Sequence, residues 1–121
     1  GPAQVLALGR ALLSLRAQGV LVVGSGSMTH NLREFFNGDR EPTQYVTEFS
    51  RWIEDAITRG DVPALLDYAK QAPHAQRAHP SDDHFLPLFF ALGAAGESFK
   101  AHYISREVRY GMLAMDAVAL H

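Results

Sequence analysis

Gly19-Val20-Leu21-Val22-Val23-Gly24-Ser25-Gly26-Ser27-Met28-Thr29-His30-Asn31-Leu32 is the stretch on which the fold turns. Val20–Val23 is a continuous apolar, β-branched-rich run, the pattern of a strand buried on both faces. It breaks into the small-residue turn Gly24–Ser27, where Ser25 or Ser27 can cap a following helix. That helix is predicted from about Met28 to Phe36, burying Leu32, Phe35 and Phe36, with Asn37-Gly38-Asp39 as its stop. His30 falls in its first turn. The positive end of a helix disfavours a charged imidazole, so His30 reads as a neutral base or ligand. A histidine packed in the core or bonded to backbone fits the same position. The turn also has the glycines of a phosphate cradle, but lacks the third glycine of a dinucleotide fingerprint and the Lys-Ser/Thr of a P-loop.

Working outward, residues 5–17 read as an amphipathic helix closed by Gly19 at its C′ position. Downstream, Tyr45, Phe49, Trp52, Ile53 and Ala56 share one helical face ending at Gly60, after a loop at Glu41–Gln44. Asp61 is an N-cap for a helix from Val62 to Gln71, with Pro63 in its first turn and Pro73 after it. His74–Pro80 reads as a loop. From Ser98 the pattern alternates, and Lys100–Ile104 and Glu107–Leu120 predict two or three strands with a turn near Ser105-Arg106. Helix, strand, four helices and then strands make an α/β arrangement, a central sheet flanked by helices.

His79-Pro80-Ser81-Asp82-Asp83-His84-Phe85-Leu86-Pro87-Leu88 holds the densest group of ligand and acid–base residues. Ser81 or Asp83 is placed to cap a helix from about His84 to Ala95. An imidazole and a carboxylate suit part of a non-haem iron site. The five-residue step from His79 to His84 is not a helical i, i+4 zinc pair. A polar loop that caps a helix fits the cluster as well. His74, His102 and His121 read as surface or structural.

The 121 residues, 47% hydrophobic and 20% charged, suit one soluble globular domain or part of one. Eleven basic and 13 acidic residues give a net charge of −2 with no basic stripe, which argues against nucleic acid. No apolar run reaches the ~18 residues of a membrane span. The chain has no cysteine, which excludes thiolate sites and fits a reducing, cytoplasmic setting.

The two motifs together resemble a family. Gly24-Ser25-Gly26-Ser27-Met28-Thr29-His30-Asn31-Leu32 is similar to the G-S-G-x-x-x-H-N-L motif of class III, LigB-type extradiol ring-cleavage dioxygenases, closest to the DOPA 4,5-dioxygenase branch. His79 to Leu88 is similar to that branch's H-P-[ST]-x-x-H-[FY]-L-P-L motif, and Tyr110–Ala117 resembles its closing strand.

The resemblance implies dioxygen insertion into a catechol-type small molecule at a non-haem Fe(II) site, with zinc as the alternative. It implies that His30 is the acid–base residue and His84 a metal ligand. His79, Asp83, Ser25 and Asn31 are then candidates to orient these groups or to touch substrate. Members of the branch are longer and carry further metal-binding histidines in their first half. Residues 1–121 are therefore expected to be a single domain forming the C-terminal portion of a longer catalytic domain. The remaining ligands would come from an N-terminal half, and the chain alone would be inactive. Exposed apolar surface would pair with that half or drive homo-oligomers. Two other readings are a non-catalytic binding or assembly module built on the same fold, and a phosphate-ligand binder using Gly24–Ser27.

Overall fold

Two helices in glycine-mediated contact frame one side of the molecule. In the computed structural model, which describes residues 1–35 (Phe35 by backbone only) and 43–121, α1 (Pro2–Arg10) packs on α7 (Leu86–Ala95). Gly9 and Gly93 sit at the crossing. A methyl group at Gly9 would strike the Phe90 carbonyl, and one at Gly93 would strike the Leu6 carbonyl. The first helix is shorter than predicted. It ends at Arg10, and a 3₁₀-helix, Leu13–Gln18, follows before Gly19 closes the segment at φ 78°. The Arg16 guanidinium there donates to the Ala95 carbonyl at 2.6 Å, tying this turn to the end of α7.

The core lies around α3 (Gln44–Arg59). Its buried face carries the predicted Tyr45, Phe49, Ile53 and Ala56, with Val46 and Ile57 added and Trp52 partly buried. Gly60 ends it at φ 68°, a left-handed position that suits glycine. Asp61 caps α4 (Val62–Leu66), its Oδ1 accepting from the Ala64 N–H at 3.1 Å. The single helix predicted over 62–71 is two, since Asp67 interrupts it before α5 (Tyr68–Gln71). The predicted loop at 74–80 contains α6 (Ala75–Ala78), entered through His74 at φ 59°, whose Nε2 meets Glu48 Oε2 at 2.6 Å.

The mixed helix-and-strand class holds. The strands form two small antiparallel sheets: β1 (Ala101–Ser105) with β4 (Ala117–Leu120), and β2 (Val108–Arg109) with β3 (Leu113–Ala114). The second inserts between the strands of the first, which alternation alone could not reveal. No helix among the described residues is long and apolar enough to cross a membrane.

The largest departure lies in the opening stretch. Val20–Val23 forms no strand and pairs with none among the described residues, and Leu21 is 84% exposed. A run with the composition of a doubly buried strand thus has neither partner edge nor covered faces here. The following helix is also late. Among the described residues α2 spans Leu32–Phe35, and Leu32 is exposed rather than buried. The predicted burial of Phe35 and Phe36, the stop at Asn37-Gly38-Asp39 and the Glu41-Pro42 part of the loop lie outside what is described.

Candidate functional site

The stretch from Ser27 to His30 is held by three different segments, and this builds the site. The Ser27 N–H donates to the His84 carbonyl (2.8 Å), the Met28 N–H to Ala114 (2.9 Å), and the His30 N–H to Ala78 (2.8 Å). Thr29 is fully buried. Its hydroxyl donates to the Met112 carbonyl at 2.6 Å and accepts from the Ala114 N–H at 2.8 Å, fastening the loop to the β2–β3 hairpin. Two glycines permit the approach to the second motif. A side chain on Gly24 would collide with the Pro87 carbonyl, and one on Gly26 with the His84 carbonyl. These glycines therefore serve backbone contact. No helix N-terminus stands at Gly24–Ser27, since α2 begins at Leu32, so the phosphate-cradle geometry is not formed.

This clasp brings His30 and His84 together, 54 positions apart in the chain but with rings stacked at 3.6 Å and 17° between planes. His30 precedes α2 rather than lying in its first turn, so a helix dipole does not act on it as expected. Its pKa is nonetheless below the ordinary value, because of partial burial first and the adjacent His84 second. Two imidazolium rings at this separation would repel, so the pair favours at least one neutral ring. His84 remains half-exposed, with Nε2 3.5 Å from Asp83 Oδ2.

His79 does not join the pair; it lies behind the loop. It is 5% exposed and packed against Phe85 (4.6 Å between ring centroids), Phe49 (5.6 Å) and Tyr68 (6.4 Å). Its Nε2 donates to the Met28 carbonyl at 2.7 Å, which assigns the proton to Nε2. Nδ1 is buried with no hydrogen-bond partner among the described residues. Burial in this aromatic cage pushes the His79 pKa down to about 4.

The other candidates are peripheral. Asp83 is exposed and accepts from the Ser81 hydroxyl at 2.6 Å, which, with His84 nearby, lowers its pKa. The Ser81–Asp83 pair is thus spent on itself. Neither residue caps α7, whose N-cap is Phe85 without a side-chain bond; the Asp82 carbonyl receives the Phe85 and Leu86 N–H groups instead. Asn31, not Ser25 or Ser27, sits at the start of α2. Its Oδ1 is 3.4 Å from the Glu34 N–H, and its Nδ2 donates to the Arg77 carbonyl at 2.8 Å. Ser25 is exposed and, with Ser27, His84, Phe85, Ile104 and Asp116, lines a cavity of about 310 Å³. Thr29 was not among the sequence candidates. Its only sequence signal is a polar, β-branched residue directly beside the motif histidine.

No group of three or more His, Cys, Asp or Glu side chains able to hold a metal ion occurs among the described residues. The donor set fits such an ion only in part: His84 offers one imidazole, and Asp83 stands beside it without converging on a shared point with a third donor.

Residues 1–119 match the family described as the catalytic LigB subunit of aromatic ring-opening dioxygenase. The chain is 39% identical over 110 residues to a 4,5-DOPA dioxygenase extradiol of Portulaca grandiflora, covering 88% of this chain and 40% of that protein. It is 40% identical over 97 residues to the Beta vulgaris protein of the same name, covering 80% and 36%. The crystal structure of an uncharacterized Escherichia coli K12 protein, JW3007, superposes with a TM-score of 0.80 at 27% identity, over 97% of this chain and 49% of that one. The chain thus spans about two-fifths of the length of these curated relatives. With two linked motifs, a stacked histidine pair and a family match over nearly its whole length, this chain belongs to the LigB family of aromatic ring-opening dioxygenases.

Proposed function

We propose that this chain contributes His30 and His84 to a dioxygenase that opens a catecholic aromatic ring next to its diol. The observation that carries the reading is the stacked His30–His84 pair beside the cavity lined by Ser25, Ser27 and His84. His30 is kept neutral by burial and by its neighbour, so it can accept a proton from a catechol hydroxyl. The Ser27–His30 clasp holds that imidazole in place, so little motion is needed at the moment of transfer. His84 would hold the metal through its exposed edge, and Asp83 would keep that side of the ring anionic. When bound, a non-haem Fe(II), or zinc in its place, supplies Lewis acidity toward the diol and a position for dioxygen. The described residues supply one imidazole ligand, so the remaining ligands come from polypeptide other than these residues.

The partial donor set favours one second reading, a binding or assembly module that retains the fold without turnover. The test is oxygen uptake by the protein expressed from its complete reading frame, with Fe(II) and catechol or L-DOPA. Uptake matched by a ring-opened product, abolished in His30→Ala and His84→Ala, supports the dioxygenase. Catechol binding without oxygen uptake in a metal-loaded protein refutes it and favours the module.

A further inference from the structure

We infer that His79 is a positioning residue that sets the spacing between His30 and His84, an inference that rests on the ring-opening reading for its effect on turnover. The second motif is a surface loop between two buried ends. Pro80, Ser81 and Asp83 are exposed and His84 is half-exposed, whereas His79 is 5% and Phe85 1% exposed. The two ends close on each other. The His79 ring stacks on Phe85 with centroids 4.6 Å apart and 29° between planes. His84 directly precedes Phe85, so this stack fixes the root of the His84 side chain. The edge of the same imidazole reaches the first motif, where Nε2 donates to the Met28 carbonyl at 2.7 Å, two positions before His30. One side chain therefore touches both of the segments whose histidines stack at 3.6 Å.

The Ser27 N–H also joins these segments, through its 2.8 Å bond to the His84 carbonyl. A single hydrogen bond leaves two segments free to turn about it, and a second point of contact removes that freedom. His79 supplies the second point. Its ring is held in place, because Phe49 and Tyr68 pack around it at 5.6 and 6.4 Å between centroids.

The chemistry required at this position is narrow. It needs an aromatic face for Phe85 and an N–H for the Met28 carbonyl. It also excludes charge, since Nδ1 meets no acceptor among the described residues. Neutral imidazole meets all three requirements. Phenylalanine offers the face without the donor, and glutamine the donor without the face. A misplacement of about 1 Å at reacting groups can cost a hundredfold in rate, so loosening this contact acts on the chemical step more than on substrate binding.

The test uses the protein expressed from its complete reading frame, with two readouts. In the metal-free, histidine-labelled protein, ring-to-ring NOE cross-peaks report whether His30 and His84 stay stacked, and ring nitrogen shifts report the tautomer of His79. In the iron-loaded protein, oxygen uptake on catechol gives KM and kcat per bound iron. His79→Phe should lose the His30–His84 cross-peaks and lower kcat per bound iron about ten- to a hundredfold, with KM within about twofold of wild type. His79→Gln should fall between that variant and wild type in both readouts. A purely structural role would lower the melting temperature and the iron content but leave kcat per bound iron where it is. If His79→Phe does not fold, His79→Asn, whose amide falls short of the Met28 carbonyl, takes its place. The inference is overturned by unchanged kcat per bound iron, by cross-peaks that survive while kcat falls, or by His79→Gln performing no better than the first variant. Wild-type rings without cross-peaks, or a wild-type His79 protonated on Nδ1, overturn it as well. A wild type that takes up no oxygen removes the ring-opening reading instead, and the cross-peaks and tautomer then decide the spacing role by themselves.

Discussion

Acid should unfold this protein in part through His79, and the size of the effect follows from its surroundings. Nε2 already donates to the Met28 carbonyl, and Nδ1 is buried among Phe49, Tyr68 and Phe85 with no acceptor among the described residues. A proton on Nδ1 would create a charged donor with nothing to receive it. In the unfolded chain His79 titrates near 6.5; in the folded chain it is pushed down to about 4. Between these values the unfolded state binds more protons, so stability falls as pH drops through this window and levels off below it. The gap corresponds to about 3 kcal/mol. Replacing His79 with leucine removes the titration but strands the Met28 carbonyl, at a cost of about 1 to 3 kcal/mol at pH 7. Urea denaturation at pH 7 and pH 4, followed by the fluorescence of the one tryptophan, the partly buried Trp52, measures both terms. The wild type should be the more stable protein at pH 7, and its advantage should vanish or reverse at pH 4. Comparing the variants cancels the titrating groups that do not interact with His79. An unchanged stability difference at the two pH values would refute the reasoning.

Asp116 should act in the opposite direction. Burial, and then the Glu54 carboxylate, raise its pKa to about 6, so its contribution is present in acid and lost as pH rises through that value. Asp116→Asn should stabilise the protein at pH 7 by about 1 to 2 kcal/mol, with little change at pH 4, in the same urea assay. Thr29→Val keeps the shape of the side chain but leaves the Met112 carbonyl and the Ala114 N–H unpaired in the core. It should cost about 2 to 4 kcal/mol, and Thr29→Ser should recover most of the loss by thermal denaturation.

The two motifs, their chain order and the class of fold were legible because each is local chemistry. A strand-like run that breaks at glycines before a histidine, an Asp61 cap, glycines ending two segments, and a helical stripe from Tyr45 to Ala56 need only a few neighbouring residues to be read. The roles assigned to Ser25, Ser81 and Asp83 were less secure for the same reason. Each can cap a helix by spacing, yet Ser81 and Asp83 bond one another, and α2 starts seven positions after Ser25, with Asn31 at its entry. Local rules rank the possible partners of a polar side chain but do not choose among them.

The sequence by itself determined that His30 and His84 lie where a strand or loop meets a helix, that the chain carries no thiolate ligand, and that it keeps the company of LigB proteins. Tertiary structure alone decided that the two rings stack, that His79 serves the backbone behind them, and that Thr29 fastens the loop to a hairpin 83 residues away. It also decided that Val20–Val23 pairs with no strand among the described residues. Composition records what environment a strand requires, whereas the surrounding chain determines whether that environment is present; among the described residues the apolar run has no strand partner and Leu21 stays exposed.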